Sequence, residues 1–227
     1  MIQMENVCFE YKVHTPVLNG INAQIYKGDV VGILGHNGAG KTTLFRILLD
    51  LLKPNEGVVK VDAMKRELGY VPEEAGIYLN LSAMQNMMFR ADINHISSNN
   101  IQQDIMELLY RVQLDDRIKD SKVVNWSNGM KKRLALTCSL IIGPKILFLD
   151  EPTNGLDPES LKIFLNILEE ENKKGMTILI NSHDLHTISK ICNRIMILQK
   201  GKKIYESYDF KENLEALYFE MVNRRNV

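Results

Sequence analysis

Apolar residues along the chain alternate between short continuous runs and runs with helical spacing. Residues 30–34 are a continuous apolar stretch, which predicts a strand covered on both faces. A glycine-rich loop follows, and residues 41–52 then carry the spacing of one helical face, at Leu44, Ile47, Leu48 and Leu51. Further strands are predicted at residues 58–62, 146–149, 177–181 and 195–198. This alternation of strands and helices predicts an α/β protein.

The middle of the chain has a different pattern, which predicts only helices. Residues 82–85 have the form of a capping box and open a helix rich in methionine. A second helix, with Asn99 or Asn100 as its cap, carries an apolar stripe from Ile101 to Val112, and a third occupies residues 128–142. We therefore predict a helical subdomain at residues 76–143, an α/β core at 1–75 and 144–210, and a tail helix at 211–227.

The N-terminal segment reads as a small antiparallel β-subdomain. Short strands are predicted at residues 2–9 and 17–25, with turns at Thr15-Pro16 and Asn19-Gly20. Turn residues of this kind connect antiparallel strands, so we expect these strands to form a separate small sheet.

Composition excludes several classes of protein. The 227 residues include 28 Lys+Arg and 28 Asp+Glu, with 45% hydrophobic residues, so a disordered or collagen-like chain is excluded. The balanced charge argues against general electrostatic binding of nucleic acid. Three cysteines without metal-ligand spacing make zinc an unfavourable interpretation and predict reduced thiols in the cytosol. We expect neither a membrane span, which needs about 18 apolar residues, nor a signal peptide.

A candidate phosphate-binding loop follows the first buried strand. Residues 35–42, GHNGAGKT, match the pattern G-x-x-x-x-G-K-[ST] between a predicted strand and a predicted helix. Such a loop turns backbone N–H groups toward phosphate oxygens, and the helix N-terminus adds partial positive charge. Lys41 supplies a charge for the β- and γ-phosphates, and the Thr42 hydroxyl suits Mg²⁺. The predicted nucleotide-binding residues are Gly35, Asn37, Gly38, Ala39, Gly40, Lys41, Thr42 and Thr43.

A second candidate feature is the pair of carboxylates that ends the strand at residues 146–149. Asp150 suits a magnesium shell, and Glu151 can polarise a water for attack on the γ-phosphate. An acidic turn into Pro152 would explain the same residues structurally. In the presence of the phosphate loop we predict a catalytic role.

Residues 126–134, WSNGMKKRL, resemble the signature of the ATP-binding subunits of ABC transporters, and the resemblance extends over nearly the whole chain. Ser127 caps a predicted helix whose N-terminus, with Gly129 beside it, can bind an anion. The resemblance implies that this anion is the γ-phosphate of an ATP held by the other protomer of a dimer. We interpret residues 131–133, KKR, as three charges on a solvated first turn.

Three further positions follow the same resemblance. Residues 154–158, NGLDP, are similar to the family's D-loop, which crosses the dimer interface and contains Asp157 here. His183 lies where the family has a switch histidine that contacts the γ-phosphate and braces the catalytic glutamate; an ordinary turn histidine is the alternative. Tyr11 aligns with an aromatic residue that stacks on adenine, and a half-buried strand tyrosine is its alternative.

Two motifs depart from the family's pattern. The Q-loop usually has Gln after Val-Pro, whereas Glu73 stands there in this chain. That Gln touches Mg²⁺ or the attacking water, so Glu73 is expected to contact the metal and to add negative charge beside a triphosphate. In the signature, Asn128 and Met130 replace Gly and Gln. Both departures resemble a subset of exporters of drugs, sodium or antibiotic peptides, so export is favoured over import.

The resemblance implies a P-loop NTPase (RecA-like) core, ATP and Mg²⁺ as cofactors, and hydrolysis of ATP with Glu151, His183 and Lys41 as catalytic residues. Two copies, identical or different, would close head to tail around two ATP. They would power a separate polytopic membrane permease from the cytoplasmic face of the membrane. The residues expected to hold the metal are Thr42, Asp150 and Glu73.

Two other functions compete with a transporter ATPase. A soluble ABC-type ATPase that acts on DNA or ribosomes is the main alternative. Its relatives usually carry coiled-coil inserts, zinc modules or a second ATPase unit, and none is recognisable here. A kinase or GTPase of another P-loop family is disfavoured by the signature, the D-loop and His183 together. No nucleic-acid partner is therefore expected.

Overall fold

The computed structural model describes residues 1–12, 14–96, 98–114 and 119–223. Its contacts divide the chain into two compact units, a first unit of Met1–Lys65 with Thr177–Val227 and a second unit of Arg66–Met176. The predicted division into a helical subdomain at residues 76–143 and a core that resumes at 144–210 is based on the type of secondary structure and not on contacts. It stays a prediction. The last four residues of the predicted tail, 224–227, lie outside the described residues.

The described elements alternate as the apolar pattern predicts. The strands are β1 (Ile2–Glu10), β2 (Pro16–Ile25), β3 (Val30–Leu34), β4 (Glu56–Val61), β5 (Leu68–Val71), β6 (Ile146–Asp150), β7 (Thr177–Asn181), β8 (Arg194–Gln199) and β9 (Lys202–Ser207). The helices are α1 (Lys41–Leu48), α2 (Ala83–Ile93), α3 (Ile101–Arg111), α4 (Asn128–Leu140), α5 (Pro158–Lys173), α6 (Leu185–Ile191) and α7 (Leu214–Asn223).

The predicted antiparallel β-subdomain is present in the first unit as a sheet with the order β2-β1-β4. The predicted turn at Asn19-Gly20 is wrong, because these residues lie inside β2. Leu18 pairs with Phe9 and Ile21 pairs with Val7, so the register shifts between them without reversing the chain. Gly20 has a φ of 68°. The pair therefore forms a bulge, which glycine permits at low cost.

The parallel strands of the first unit place two loops side by side. Here the strand order is β7-β3-β8-β9, with β9 antiparallel to β8. Every residue of β3 and of β7 is buried, and Ile33 pairs with Asn181. The backbone N–H of Ser182 donates to the carbonyl of Ile33 at 3.3 Å. The segments that follow β3 and β7 therefore leave the sheet at the same edge.

The second unit combines a parallel strand pair with helices. Strands β5 and β6 run in parallel, and the Ser139 hydroxyl of α4 donates to the Tyr70 carbonyl at 2.9 Å. The predicted capping box is confirmed at Ser82 and Gln85, where both reciprocal hydrogen bonds are present. Asp157 caps α5 as predicted, with a proline at the first helical position. The α/β fold class is thus confirmed.

None of the described helices is long and apolar enough to cross a membrane. The three cysteines are not joined in disulfides; Cys8 is partly exposed, and Cys138 and Cys192 are buried. Burial raises the pKa of Cys138 to about 12. A thiolate is the reactive form, so Cys138 is protected both by its pKa and by its neighbours.

We expect a thiol reagent at pH 8 to label only Cys8 in the native protein. The Cys138 thiolate would make up about one molecule in ten thousand at that pH, given its pKa of about 12. Cys192 is 0% exposed. Labelling followed by mass spectrometry, with urea-unfolded protein as the control, checks this. Rapid native labelling of Cys138 would contradict the packing described here.

Candidate functional site

The phosphate loop of the first unit folds around its own lysine. Lys41 is 7% exposed, and its Nζ donates to the Gly35 carbonyl at 2.7 Å and to the His36 carbonyl at 3.5 Å. Gly40 has a φ of 104°, and a Cβ there would lie 2.7 Å from Leu18 Cδ2. Only glycine combines that dihedral with so close an approach. The loop therefore presents an ammonium group and the first amides of α1 at one place.

Tyr11 lies beside this loop, as expected for a residue that could contact a bound nucleotide. Its hydroxyl is 3.3 Å from Thr43 Oγ1 and 3.4 Å from Arg46 Nη1. The ring is 53% exposed and packs edge-on against Phe9 at 4.9 Å between centroids. An exposed aromatic face that is fixed at its hydroxyl suits stacking on a base, so Tyr11 stays a predicted adenine contact.

His183 lies at the carboxyl edge of β7, in the segment next to the end of β3. The side chain is exposed, whereas Ser182 before it is fully buried and accepts a hydrogen bond from the Asp184 N–H at 3.0 Å. Asp184 in turn caps α6. The turn thus directs the histidine out of the core on the same edge as the phosphate loop, and its role as a switch stays a prediction.

The two predicted carboxylates of the second unit are buried at the end of β6. Asp150 is 3% exposed and Glu151 is 7% exposed. Glu151 has a φ of 45°, in the left-handed region that side chains rarely adopt. A strained backbone that persists at a buried carboxylate requires support from its surroundings, and such residues cluster at functional sites.

Lys132 provides part of that support, and its expected position on a solvated turn is wrong. Lys132 is 6% exposed, and its Nζ donates to the Glu73 carbonyl at 2.5 Å and to the Glu151 carbonyl at 3.3 Å. Burial lowers the pKa of Lys132, and the carboxylates of Glu73, Asp150 and Glu151 oppose that change. The inward position was visible in the sequence as the helical spacing of Gly129, Lys132 and Leu136.

The predicted signature segment and the predicted D-loop meet within the second unit. Ser127 caps α4 by accepting from the Met130 N–H at 3.2 Å. A Cβ on Gly129 would lie 2.3 Å from Ser160 Oγ and 3.0 Å from Asp157 Oδ2. The Ser160 backbone N–H donates to Asp157, which holds the pKa of that carboxyl below its ordinary value. Two capped helix N-termini are therefore packed together. No motif in the sequence indicated that Ser160 takes part in this contact.

Glu73 follows β5 with an exposed side chain, and its backbone carbonyl is bound by Lys132. The hydroxyl of Thr42 and the carboxylates of Asp150 and Glu73 are hard oxygen donors, which suit Mg²⁺. Among the described residues, no group of three or more His, Cys, Asp or Glu side chains could hold a metal by itself. A metal bound with phosphate oxygens needs fewer protein ligands, so each of these oxygen donors, taken in its own unit, is of a type that suits nucleotide-bound magnesium, and their role as metal ligands stays a prediction.

Sequence comparison places these residues in a known context. The family described as ABC transporter matches residues 18–154. The lantibiotic transport ATP-binding protein SrtF of Streptococcus pyogenes is 38% identical over 225 residues, which is 96% of each chain. The bacitracin transport ATP-binding protein BcrA of Bacillus licheniformis is 35% identical over 88% of this chain and 69% of its own.

Solved structures agree with the fold. The ATP-binding cassette MJ0796, a dimer bound to ADP and Pi after hydrolysis, matches with a TM-score of 0.84 and 25% identity over 91% of this chain and 98% of its own. CbiO1 of Clostridium perfringens, part of the cbiONQ transporter complex, matches with a TM-score of 0.83 and 30% identity over 99% of this chain and 94% of its own. The predicted cassette fold is thereby confirmed.

We expect Gly129→Ala to destabilise the second unit by about 1–3 kcal/mol, because the new methyl group overlaps Ser160. Combining it with Ser160→Gly removes the overlapping atoms, so the two changes should be non-additive in urea unfolding. Ser160→Gly alone supplies the reference for lost helix propensity. Additive free energies in this cycle would show that the two helix ends do not touch.

Proposed function

We propose, for a chain that belongs to the ABC transporter family, that it powers the export of peptide antibiotics. The chain is an ATP-binding and ATP-hydrolysing subunit of a transporter. The finer assignment rests on one observation, the 38% identity over 96% of both chains with a lantibiotic transport protein. The bacitracin relative and a linearmycin resistance ATP-binding protein of Bacillus subtilis, 33% identical, support it.

In this proposal the first unit binds the nucleotide. Lys41 and the amides of residues 35–43 hold the phosphates, the Thr42 hydroxyl would be a ligand of the metal, and Tyr11 stacks on the base. His183 contacts the γ-phosphate. Lys41 is already held at the Gly35 carbonyl, so its positive charge is in place near the loop before ATP arrives.

The second unit supplies the chemistry of hydrolysis in this proposal. Glu151 accepts a proton from the attacking water, and its burial concentrates the effect of that carboxylate. Ser127 and Gly129 bind the γ-phosphate of a second protomer, and Asp157 lies at the interface between protomers. Positioning and charge stabilisation carry most of the catalysis in phosphoryl transfer.

Magnesium is the metal that the oxygen donors fit. Asp150 and Thr42 would hold it, with Glu73 as a further contact, and the ion would neutralise phosphate charge. Because Glu73 is an acid where the family has Gln, it also adds negative charge at this point.

The proposed partners follow from family membership. ABC cassettes work as dimers with membrane subunits, as the dimeric MJ0796 structure and the cbiONQ complex illustrate. We propose a dimer of this chain, or of this chain with a related one, bound at the cytoplasmic face to a polytopic permease. The alternative, an ATPase of DNA or ribosomes, finds no support in these relatives.

Glu151→Gln should lower ATP hydrolysis by about 100-fold or more, because the amide cannot accept the proton. ATP binding should persist, and the ATP-bound protein should accumulate as a dimer in size-exclusion chromatography. Glu159→Gln, a matched change on the exposed first turn of α5, is the control. Wild-type turnover in Glu151→Gln would remove Glu151 as the base.

The chain can be expressed in a lantibiotic-sensitive bacterium together with the membrane protein that co-purifies with it. This strain should tolerate a higher lantibiotic concentration than the host without them. The minimal inhibitory concentration should return to the host value with Glu151→Gln, since export requires hydrolysis. Unchanged sensitivity to lantibiotics and bacitracin, in a strain whose complex hydrolyses ATP, would refute the substrate class and leave the ATPase assignment standing.

A further inference from the structure

We propose that Lys132 is a positioning residue for ATP hydrolysis, which holds the main chain of Glu73 and of Glu151 and offsets the charge that Glu73 introduces. The inference rests on the proposed function for its kinetic consequence, because it assigns Glu151 as the base. The contacts that carry it lie entirely within the second unit.

Lys132 joins two loops that are distant in sequence. Its Nζ reaches the carbonyl of Glu73, 59 residues away, and the carbonyl of Glu151, 19 residues away. The lysine arises from the rigid first turns of α4, whose N-terminus is fixed by the Ser127 cap. A buried ammonium that donates to two carbonyls restricts both loops to one arrangement.

The backbone at Glu151 needs such a restraint. Its φ of 45° costs on the order of 1 kcal/mol for a residue with a side chain. Its carbonyl accepts from Lys132 and, at 3.4 Å, from the Asn154 N–H. Both bonds hold the conformation that sets the direction of the Glu151 side chain. Replacing Lys132 removes the shorter of these two bonds.

The charge of Lys132 matches the unusual acid at position 73. The ammonium interacts with the carboxylates of Glu73, Asp150 and Glu151 at once. A neutral glutamine at position 73 would leave two carboxylates around the lysine, whereas Glu73 makes three. The extra negative charge at the exposed Glu73 therefore favours the charged form of the buried Lys132, and removing the lysine leaves the buried carboxylates of Asp150 and Glu151 without its positive charge.

The test compares Lys132→Met, Lys132→Gln, Glu73→Gln and the double variant Glu73→Gln/Lys132→Gln. Lys132→Met should lower kcat by about 10- to 100-fold with KM for ATP changed less than about threefold, because the reacting groups lose their alignment and the phosphate loop is untouched. The double variant should recover at least about threefold in kcat over Lys132→Gln, since charge balance returns.

Hydrogen exchange gives a readout that does not depend on activity. In Lys132→Met the amide of Asn154 should exchange at least about tenfold faster, while amides in the middle of α5 keep their wild-type rates. Lys145→Met is the matched control, because Lys145 stands at the other end of β6 and pairs with Glu67 on the surface at 2.7 Å, 66% exposed. It should leave kcat and exchange unchanged.

The outcomes separate the inference from the proposed function. A wild-type protein without ATPase activity would overturn the proposed function, and the exchange result would still decide whether Lys132 restrains the loop. Wild-type kcat in Lys132→Met would overturn the role of Lys132 alone. The role of Lys132 would also be overturned if kcat fell only in proportion to the free energy of unfolding and the double variant did not recover activity. If Lys132→Met does not fold, the two glutamine variants decide.

Discussion

Burial of the parallel strands on both faces is the constraint on which the candidate site depends. In β3, β6 and β7 every residue is buried, so the strand interiors admit only side chains that need no solvent. The candidate functional groups accordingly follow the carboxyl ends of these strands, where Asp150, Ser182 and the phosphate loop lie. The same burial fixes their backbone, so each loop begins from a rigid point.

Close packing of helix N-termini is the second constraint. It gives a structural reason for glycine at position 129, which the signature motif alone does not. Gly129 leaves room for Ser160 at the start of α5, so the N-termini of α4 and α5 approach each other. Their partial positive charges add at that surface, and the capping carboxylate of Asp157 offsets part of the sum. A shift of either helix would change the electrostatic field at this surface. The N-terminus of α4 at Ser127 and the N-terminus of α5 at Asp157 therefore act on a nearby anion together.

The sequence predicted the elements whose signal is local and missed those set by contacts. The buried strand β7 and the caps at Ser82 and Asp157 are local patterns, and the structure confirms them. Asn19-Gly20 carries a turn signal, yet pairing of β2 with β1 on both sides overrides it. Strand β5 and helix α6 are short, and strand β9 lies at the edge of its sheet, so these elements depend on the neighbours against which they pair or pack. The same distinction applies to the site: motifs located the phosphate loop and the acids, but not Lys132 or Ser160.

The departure from the family's pattern at Glu73 is understood from its neighbour Lys132. In isolation Glu73 adds a negative charge where a triphosphate is expected, which would weaken binding. In the structure the buried ammonium of Lys132 binds the Glu73 carbonyl, and the negative charge of Glu73 opposes the lowering of the lysine's pKa by burial. Burial of an ammonium group costs desolvation free energy, which nearby carboxylates must offset. Fewer or more distant acids around Lys132 would offset less of that cost. The acid at 73 and the lysine at 132 thus form one electrostatic unit, and neither residue is explained by its own position in the sequence.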